Sequence, residues 1–370
     1  MTAKSETNEY AARAERAQAA LAAVNCDWLF VSHSTDLLYL LGFTKRPSER
    51  LALLLIPREG RAKMVVPGFE LPVFQPYASY FDLIGWEETE NPVAKVREVV
   101  GEGASQTIAI ADQLHTVFTL RLQAALAGAN WLEGNRVLAR IRMVKTAAEI
   151  DALRAAAAKT EAALESLFAQ PIAGQTERDV LRSLHQGLVD RGLELSGGGI
   201  VGAGPNSASP HHKTGERRLA EGDALVIDFG GGWRGYRSDI TRSFHFGEPP
   251  PEFRRIYQIT QEAQQLAFEA VRPGVTTEEI DAVARGHITA AGYGPAFLHR
   301  TGHGIGLDGH EYPYLVKGDR TVLEEGMTFS IEPGIYLAGK YGVRIEDIVA
   351  VTADGAERLN HFPRELRVVD

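Results

Sequence analysis

The apolar positions in the first 140 residues come in short runs, with amphipathic stretches between them. Four of these runs predict buried strands, because each is apolar and ends at turn-forming residues. They cover residues 27–33, 51–57, 62–68 and 107–112, whereas helical spacing of apolar residues appears around 8–24, 36–42 and 117–127. Strands that alternate with helices are typical of an α/β domain, which we expect to span residues 1–140.

The remaining residues, 141–370, repeat one pattern twice. IAGQTERDVLRSLHQGLVDRG begins at Ile172, and RPGVTTEEIDAVARGHITAAG begins at Arg272, an offset of 100 residues. Each copy places a long helix, a glycine turn and then a threonine that caps a second helix, with an acidic residue three positions on. Any helical hairpin could show Gly and Thr there, but the elements that follow also repeat. We therefore predict an α+β domain with an internal duplication.

Each copy continues into an apolar hairpin that carries two acidic residues at strand positions. The first hairpin joins 224–229 to 238–246, and the second joins 327–334 to 343–351. The acidic pairs lie symmetrically about the Trp233–Arg234 bond and about Gly339, respectively. The four residues are Asp228, Asp239, Glu332 and Glu346. Because symmetric positions face each other across a hairpin, each copy should bring two carboxylates together.

Four carboxylates on core strands need compensating charge, since buried carboxylates are almost always paired or bound to metal. Arg237, Arg242 and Arg344 are the nearby cations, too few to neutralise all four. Two divalent cations would neutralise them, and carboxylates with an imidazole suit Mn²⁺, Co²⁺ or Zn²⁺. The alternative is that the acids end their strands in solvent, which two symmetric pairs make improbable.

Composition narrows the functional classes. The chain has 370 residues, a net charge of −9 and no basic stripe, which excludes nucleic acid as a partner. The single cysteine, Cys26, excludes an internal disulfide and indicates a reducing, cytoplasmic location. No apolar run approaches the length of a membrane span.

The stretch HRTGHGIGLDGHE, residues 299–311, contains the spacing G-x-G-x-x-G. A dinucleotide-binding loop needs a helix after its glycines, but Pro313 follows and no helical pattern begins. A glycine-rich bend instead lets the backbone pass close to a ligand while it fixes one side chain. His303, between two glycines, is the candidate imidazole ligand. His299 and His310 would contact the ligands or the substrate.

The segment GPNSASPHHK, residues 204–213, precedes the first hairpin. Pro210 restricts the backbone and presents His211 and His212 on an irregular segment. A plain surface loop is the alternative interpretation.

Taken together, these motifs resemble the pita-bread metallopeptidases, and among them the Xaa-Pro peptidases, prolidase and aminopeptidase P. The resemblance rests on GPNSASPHH, VIDFG, YRSDITR, HRTGHGIGLDGHE, SIEPGIY and VRIEDI, in that order, with STDLLYLLGF in the N-terminal part. It implies a creatinase/prolidase-type N-terminal domain over 1–140 and a catalytic domain over 141–370. HEYP departs from the family at Tyr312, where a second acid is more usual.

The resemblance also implies the metal ligands. Asp228 and Asp239 would bind one ion, His303 and Glu332 would complete the second, and Asp239 and Glu346 would bridge them. The cofactors would be two divalent ions, Mn²⁺ by preference, with Co²⁺ or Zn²⁺ as alternatives.

The expected reaction is hydrolysis of the Xaa-Pro bond of a dipeptide by hydroxide formed from a water that both ions share. Glu332 would move a proton, and His211 and His310 would stabilise the tetrahedral oxyanion. A homodimer is the expected assembly. The alternatives are an aminopeptidase P acting on longer peptides and, in other classes, a creatinase-like enzyme or a binding module, both expected to lack the ligand set.

A dipeptidase must also recognise the carboxylate of the proline, for which an arginine is suited. Arg344 is one candidate, although it could instead orient the metal ligands, and His299 is a further substrate contact. Arg46, stiffened by Pro47 in the loop GFTKRPSER, is the candidate that we favour over Lys45 and Arg50.

Overall fold

The computed structural model describes residues 3–101, 105–195 and 198–369, with side chains from residue 9 onward. Its contacts divide the chain into two compact units between Arg142 and Met143. None of the helices in the described ranges combines the length and the apolarity needed to span a lipid bilayer.

The first unit contains one mixed six-stranded sheet with the strand order β4-β3-β2-β1-β5-β6. Its strands are β1 Trp28–Ser32, β2 Leu53–Pro57, β3 Ala62–Pro67, β4 Phe81–Trp86, β5 Thr107–Ile110 and β6 Asn130–Glu133. Its helices are α1 Ala3–Ala23, α2 Thr35–Leu41, α3 Leu71–Phe74, α4 Pro92–Val100, α5 Thr116–Ala125 and α6 Asn135–Met143. The four strands and three helices predicted from apolar spacing are confirmed.

The strands that the sequence pattern missed, β4 and β6, are the two edges of this sheet. Edge strands are covered less completely, and the residues of β6 are all half-buried or exposed. Their apolar signal is correspondingly weaker than that of the central strands, whose residues are almost all buried.

The second unit contains four helices and fourteen strands within the described residues. The helices are α7 Ala147–Leu167, α8 Glu177–Asp190, α9 Pro251–Ala270 and α10 Thr277–Ala290. The strands are β7 Glu194–Leu195, β8 Ile200–Ala203, β9 Ala224–Phe229, β10 Gly231–Trp233, β11 Tyr236–Arg237, β12 Ile240–Phe246, β13 Gly302–Gly304, β14 Glu311–Leu315, β15 Thr328–Ile331, β16 Gly334–Leu337, β17 Tyr341–Arg344, β18 Asp347–Val351, β19 Ala356–Arg358 and β20 Arg367–Val369. The two larger sheets have the orders β20-β12-β9-β8 and β14-β13-β15-β18-β19.

The duplication predicted from the sequence is present in the coordinates. Helices α8 and α10 both begin one residue after a capping threonine whose capping box is closed by an acid three positions on. The glycines before them, Gly174 and Gly274, have φ of 76° and 89°, and each donates its N–H to a leucine carbonyl. Each copy also has its own core of buried side chains. The second unit is therefore an α+β fold with a pseudo-two-fold internal duplication, as predicted.

The two hairpins differ in how well the sequence located their centres. The second is confirmed at Gly339, because Gly334 pairs with Arg344 in one ladder and Ile331 with Asp347 in the next. The predicted centre of the first was wrong by one residue. Asp228 pairs with Thr241, so the centre is the Arg234–Gly235 bond. Asp239 lies two positions before Thr241, which keeps it on the same face as Asp228.

The two copies meet where β12 approaches the end of β17. Thr241 and Glu346 form an isolated antiparallel bridge, and the Glu346 N–H donates to the Thr241 carbonyl at 3.1 Å. Beside it, Arg242 donates to the Asp347 carboxylate at 2.6 Å, and both side chains are almost fully buried. The carboxylates of one copy are thereby fixed relative to those of the other.

Lys145 forms a second buried ion pair in this unit, which the sequence did not predict. Its Nζ lies 2.8 Å from Glu311 Oε1, and both side chains are buried. Lys145→Met is expected to lower the free energy of unfolding by about 3–5 kcal/mol, because a buried carboxylate loses its counter-charge. Urea unfolding of the metal-free protein measures this loss.

The exposed pair Lys340–Glu252, 2.9 Å apart, provides the matched control. Lys340→Met should cost no more than about 1 kcal/mol, since solvent already screens that pair. Adding Glu311→Gln to Lys145→Met should recover part of the loss. Equal losses of unfolding free energy in the two lysine variants would show that the buried Lys145–Glu311 pair contributes no more than the exposed pair.

Candidate metal centre

The five predicted ligands are brought to one place by strand ends from both copies. Asp228 lies near the end of β9, and Asp239 directly precedes β12. His303 is the middle residue of β13, Glu332 follows β15, and Glu346 connects β17 to β18. Strand termini can expose a side chain at the edge of a sheet while the backbone stays in the ladder, which suits a site built from several elements.

The centre of the cluster consists of Asp239, His303 and Glu346. One potential ligand atom of each lies within 4.8 Å of the others. The Glu346 side chain is buried, and its Oε2 accepts a hydrogen bond from Thr241 Oγ1 at 2.7 Å. Its other oxygen, Oε1, is buried with no hydrogen-bond partner among the described residues. A buried carboxylate oxygen without a donor fits contact with a cation.

His303 is oriented with one nitrogen toward the acids. Its Nδ1 lies 3.2 Å from the Gly304 carbonyl, so it carries the proton that leaves Nε2 available as a ligand. Nε2 lies 3.3 Å from Glu332 Oε1. Burial would raise the pKa of Glu332, but the hydrogen bond and the charge of His303 outweigh it and lower the pKa to about 2. In the bound state a divalent ion can take the place of the proton between His303 Nε2 and Glu332 Oε1.

The other carboxylates repel one another. Burial first, and then the negative charge of Asp228, raise the pKa of Asp239 well above its usual range. Burial and the charge of Asp239 do the same to the pKa of Glu346. Such carboxylates are ionised at neutral pH only with added positive charge nearby. Carboxylates with one imidazole fit divalent ions such as Mn²⁺, Co²⁺ or Zn²⁺.

The glycines around His303 admit neighbouring strands rather than a phosphate. A Cβ atom on Gly302 would clash with the carbonyl of Ser330, and one on Gly304 would clash with the carbonyl of Tyr312. The strand β14 follows these glycines where a dinucleotide-binding loop would place a helix. The geometry therefore agrees with a close-packed bend that fixes the imidazole.

Arg344 is occupied by the protein itself. Its Nη2 donates to Asp228 Oδ2 at 2.5 Å, and its Nη1 donates to Tyr336 Oη at 2.8 Å. Tyr336 in turn lies 2.8 Å from Nε2 of His299, whose Nδ1 faces the Arg300 carbonyl. Asp228, Arg344, Tyr336 and His299 thus form one continuous chain of hydrogen bonds. This arrangement supports ligand orientation over substrate contact for Arg344 and for His299.

Three basic side chains of the described residues, His310, His211 and Arg300, are candidates for contact with a ligand because they are not fully buried. His310 stacks on His303 with ring centroids 3.8 Å apart, and partial desolvation with the charge of His303 lowers its pKa to about 4. His211 is exposed at the tip of its loop. Arg300, which the sequence reasoning passed over, lies over the Tyr314 ring at 4.2 Å and is close enough for its charge to act on His310.

Arg46 lies in the first unit and its side chain is exposed. Its two basic neighbours are paired, Lys45 with Glu70 and Arg50 with Glu88. Arg46 forms no ion pair among the described residues, which leaves its guanidinium available. The sequence could not separate these three cations, because their partners are distant along the chain.

Comparison with known protein families matches two models to successive parts of the chain. The model for the creatinase/prolidase N-terminal domain matches residues 13–144, and the model for metallopeptidase family M24 matches residues 151–353.

Full-length relatives are also found. A protein of Mycobacterium tuberculosis named probable dipeptidase PepE is 42% identical, covering 97% of this chain and 96% of the relative. The Xaa-Pro dipeptidase of Lactobacillus helveticus is 35% identical over 93% of this chain and 95% of its own. The solved structure of a prolidase from Thermococcus sibiricus superposes with a TM-score of 0.90 at 32% identity, covering 96% of this chain and 98% of that one.

Proposed function

Because the chain belongs to metallopeptidase family M24, we propose that it hydrolyses the Xaa-Pro bond of dipeptides with two bound divalent ions. The relatives named Xaa-Pro dipeptidase and prolidase supply the substrate class. The observation that carries the proposal is the buried, partnerless Oε1 of Glu346 beside Asp239 and His303. A bound cation would satisfy that oxygen, which accepts no hydrogen bond from the described residues.

We expect the five ligands to divide as the resemblance to the family implies. Asp228 and Asp239 would hold one ion, Glu332 and His303 the other, and Asp239 and Glu346 both. When bound, two divalent ions would supply Lewis-acid chemistry, lowering the pKa of a nearby water and polarising the scissile carbonyl. Mn²⁺ is the metal that we expect, in a protein expected to be cytoplasmic and dimeric.

The protein side chains then perform the proton transfers and stabilise charge. Water oxygen bonds to the carbonyl carbon before proline, and Glu332 accepts the water proton on its carboxylate. As the C–N bond breaks, Glu332 returns that proton to the proline nitrogen. His310, neutral at pH 7, and His211 donate hydrogen bonds to the oxygen that becomes negative. Proline nitrogen carries no hydrogen in the peptide, so a site that grips that N–H could not serve this substrate.

Dipeptide selectivity requires a cation for the carboxylate of proline. Arg46 is available in the first unit, and Arg300 lies near His310 in the second. Replacing the recognising arginine by Ala should lower kcat/KM for Ala-Pro by about 10–100-fold, since a hydrogen bond to a charged group contributes about 1.5–3 kcal/mol. The loss should appear in KM. Ala-Pro-amide, which lacks the carboxylate, should be cleaved equally by wild type and variant.

The control is Arg50→Ala, which removes a cation from the same loop but one already paired with Glu88 at 2.7 Å. It should leave the ratio of Ala-Pro to Ala-Pro-Ala cleavage unchanged. A wild-type enzyme that prefers Ala-Pro-Ala would overturn the dipeptidase proposal and make aminopeptidase P the better description. If only Arg300→Ala changes the ratio, the assignment of Arg46 is wrong while the function stands.

A further inference from the structure

We propose that Glu177 is a positioning residue that holds His211 in place through His212. This inference deepens the proposed function and rests on it, because His211 matters only if the site performs hydrolysis. Both histidines belong to the histidine loop, residues 203–215.

Glu177 is the first residue of α8, and its side chain has no exposed surface. Four donors of the histidine loop reach its carboxylate. Oε1 accepts from the Ala203 N–H at 2.9 Å and from Asn206 Nδ2 at 2.8 Å. Oε2 accepts from His212 Nε2 at 2.8 Å and from the Gly215 N–H at 3.0 Å. One buried carboxylate thus fixes both ends of the loop.

Glu177 must be ionised to accept four hydrogen bonds. Burial alone would raise its pKa, but the Ala203 N–H and the other donors outweigh burial and hold the pKa below its usual range. An ionised carboxylate only accepts, so His212 Nε2 carries the proton that it donates. These four hydrogen bonds give Glu177 a role in fixing the loop, beyond that of an acidic residue at the N-terminus of a helix.

Both neighbours of His211 are anchored as a result. His212 is bound to Glu177, and the Pro210 carbonyl accepts from Arg344 Nη1 at 3.2 Å. Arg344 is the same guanidinium that contacts Asp228. The exposed His211 side chain therefore projects from a short stretch pinned on one side to α8 and on the other to the acidic cluster.

The second copy of the duplication shows what this position does without the loop. Thr277 occupies the equivalent place, and its N–H donates to the Thr321 carbonyl just as the Glu177 N–H donates to the Arg217 carbonyl. Its hydroxyl faces a single residue, Asp319, at 2.9 Å from the carbonyl and 3.1 Å from the carboxylate. The N–H bond is thus common to both copies. At this position, the carboxylate that accepts four hydrogen bonds is found only in the copy whose loop carries His211 and His212.

The first test is Glu177→Gln, which keeps the volume but removes the charge and one accepting oxygen. With Ala-Pro and Mn²⁺, kcat should fall about 10–100-fold, as expected when a catalytic group is displaced by about 1 Å. KM and metal content should stay at wild-type values. Glu262→Gln is the matched control, because it removes an exposed carboxylate from its pair with the half-buried His287 and should leave kcat unchanged.

A double-mutant cycle then separates positioning from general damage. If Glu177 acts through His211, Glu177→Gln should cause no further loss of kcat in a His211→Ala background. Equal losses in both backgrounds, or loss of metal from Glu177→Gln, would overturn the inference. Should Glu177→Gln fail to fold, His212→Ala serves in its place, and His212→Gln, which restores an N–H donor, should recover activity.

A crystal structure of Glu177→Gln gives a readout that does not depend on activity. The inference expects the His211 imidazole displaced while Asp239, His303 and Glu346 keep their positions. An unmoved His211 would overturn the inference, whatever the substrate of the enzyme. A displaced His211 in a protein whose wild type does not cleave Xaa-Pro peptides would overturn the proposed function alone.

Discussion

Asp239→Asn is expected to release the bound divalent ions and to lower kcat/KM for Ala-Pro by roughly 10³-fold or more, because metal ions supply several kcal/mol of transition-state stabilisation. Asp239 is in the centre of the cluster with His303 and Glu346. Asp239 is one of the two carboxylates proposed to contact both ions, so we expect it to be at least as hard to replace as any other ligand. Elemental analysis of the purified protein and an activity titration with Mn²⁺ measure the two effects.

The metal-free stability of the same variant shows whether the activity loss is specific. Burial and the charge of Asp228 penalise an ionised Asp239, so its neutral replacement should not lower the melting temperature in chelator. Asp82→Asn, at an exposed carboxylate paired with Arg61 in the first unit, is the control and should retain metal and activity. Full activity of chelated wild-type protein would sink the metal mechanism.

His211→Ala and His310→Ala should each lower kcat by about 10²–10³-fold, the usual effect of losing one oxyanion donor. Both side chains are open to a ligand, and His310 lies against the ring of His303. Because its lowered pKa of about 4 keeps His310 neutral, the loss should be constant between pH 6 and 8. Steady-state kinetics with Ala-Pro measure it, and the metal content should remain that of wild type.

His287→Ala, at a half-buried histidine paired with Glu262 away from the cluster, is the control for this pair of variants. His212→Ala and His299→Ala should have milder effects, since their Nε2 atoms are already hydrogen-bonded to Glu177 and to Tyr336, respectively. Loss of metal from His310→Ala would show that His310 is a ligand and that its role has been misassigned.

The sequence predicted those parts of the molecule whose signal is local. Apolar runs located the central strands, and the Gly-Thr-acid pattern located both helix starts of the duplication. It also placed the second hairpin correctly, because Gly339, with φ of 74°, marks the turn. In each case the residues that determine the structure are within a few positions of one another.

The first hairpin shows why local signals can fail. The stretch GGGWRGYR offers several possible turns, and the sequence favoured Trp233–Arg234. The structure turns at Arg234 and Gly235, which both have positive φ, 53° and 85°, as a two-residue hairpin loop requires. A non-glycine residue with positive φ is uncommon, so composition alone could not identify Arg234.

Long-range partners were beyond the sequence altogether. Thr241 contacts Glu346 across 105 positions, and Lys145 contacts Glu311 across 166. Glu177 looked like one more acid in the first turn of a helix, although its carboxylate holds a loop that begins 26 positions later. The sequence of one chain, taken by itself, does not show which distant residues are in contact.

The bridge between Thr241 and Glu346 gives the proposed ions a second role. Asp228 and Asp239 come from one copy of the duplication, and His303, Glu332 and Glu346 from the other. Ions bound by both sets would act as removable cross-links between the halves, and they would also offset the burial and the carboxylate repulsion that raise the pKa of Glu346. By thermodynamic linkage, occupancy would then stabilise the folded catalytic unit in proportion to RT ln(1 + [metal]/Kd). The supply of metal in the cell would then affect the stability of the folded protein as well as its catalytic rate.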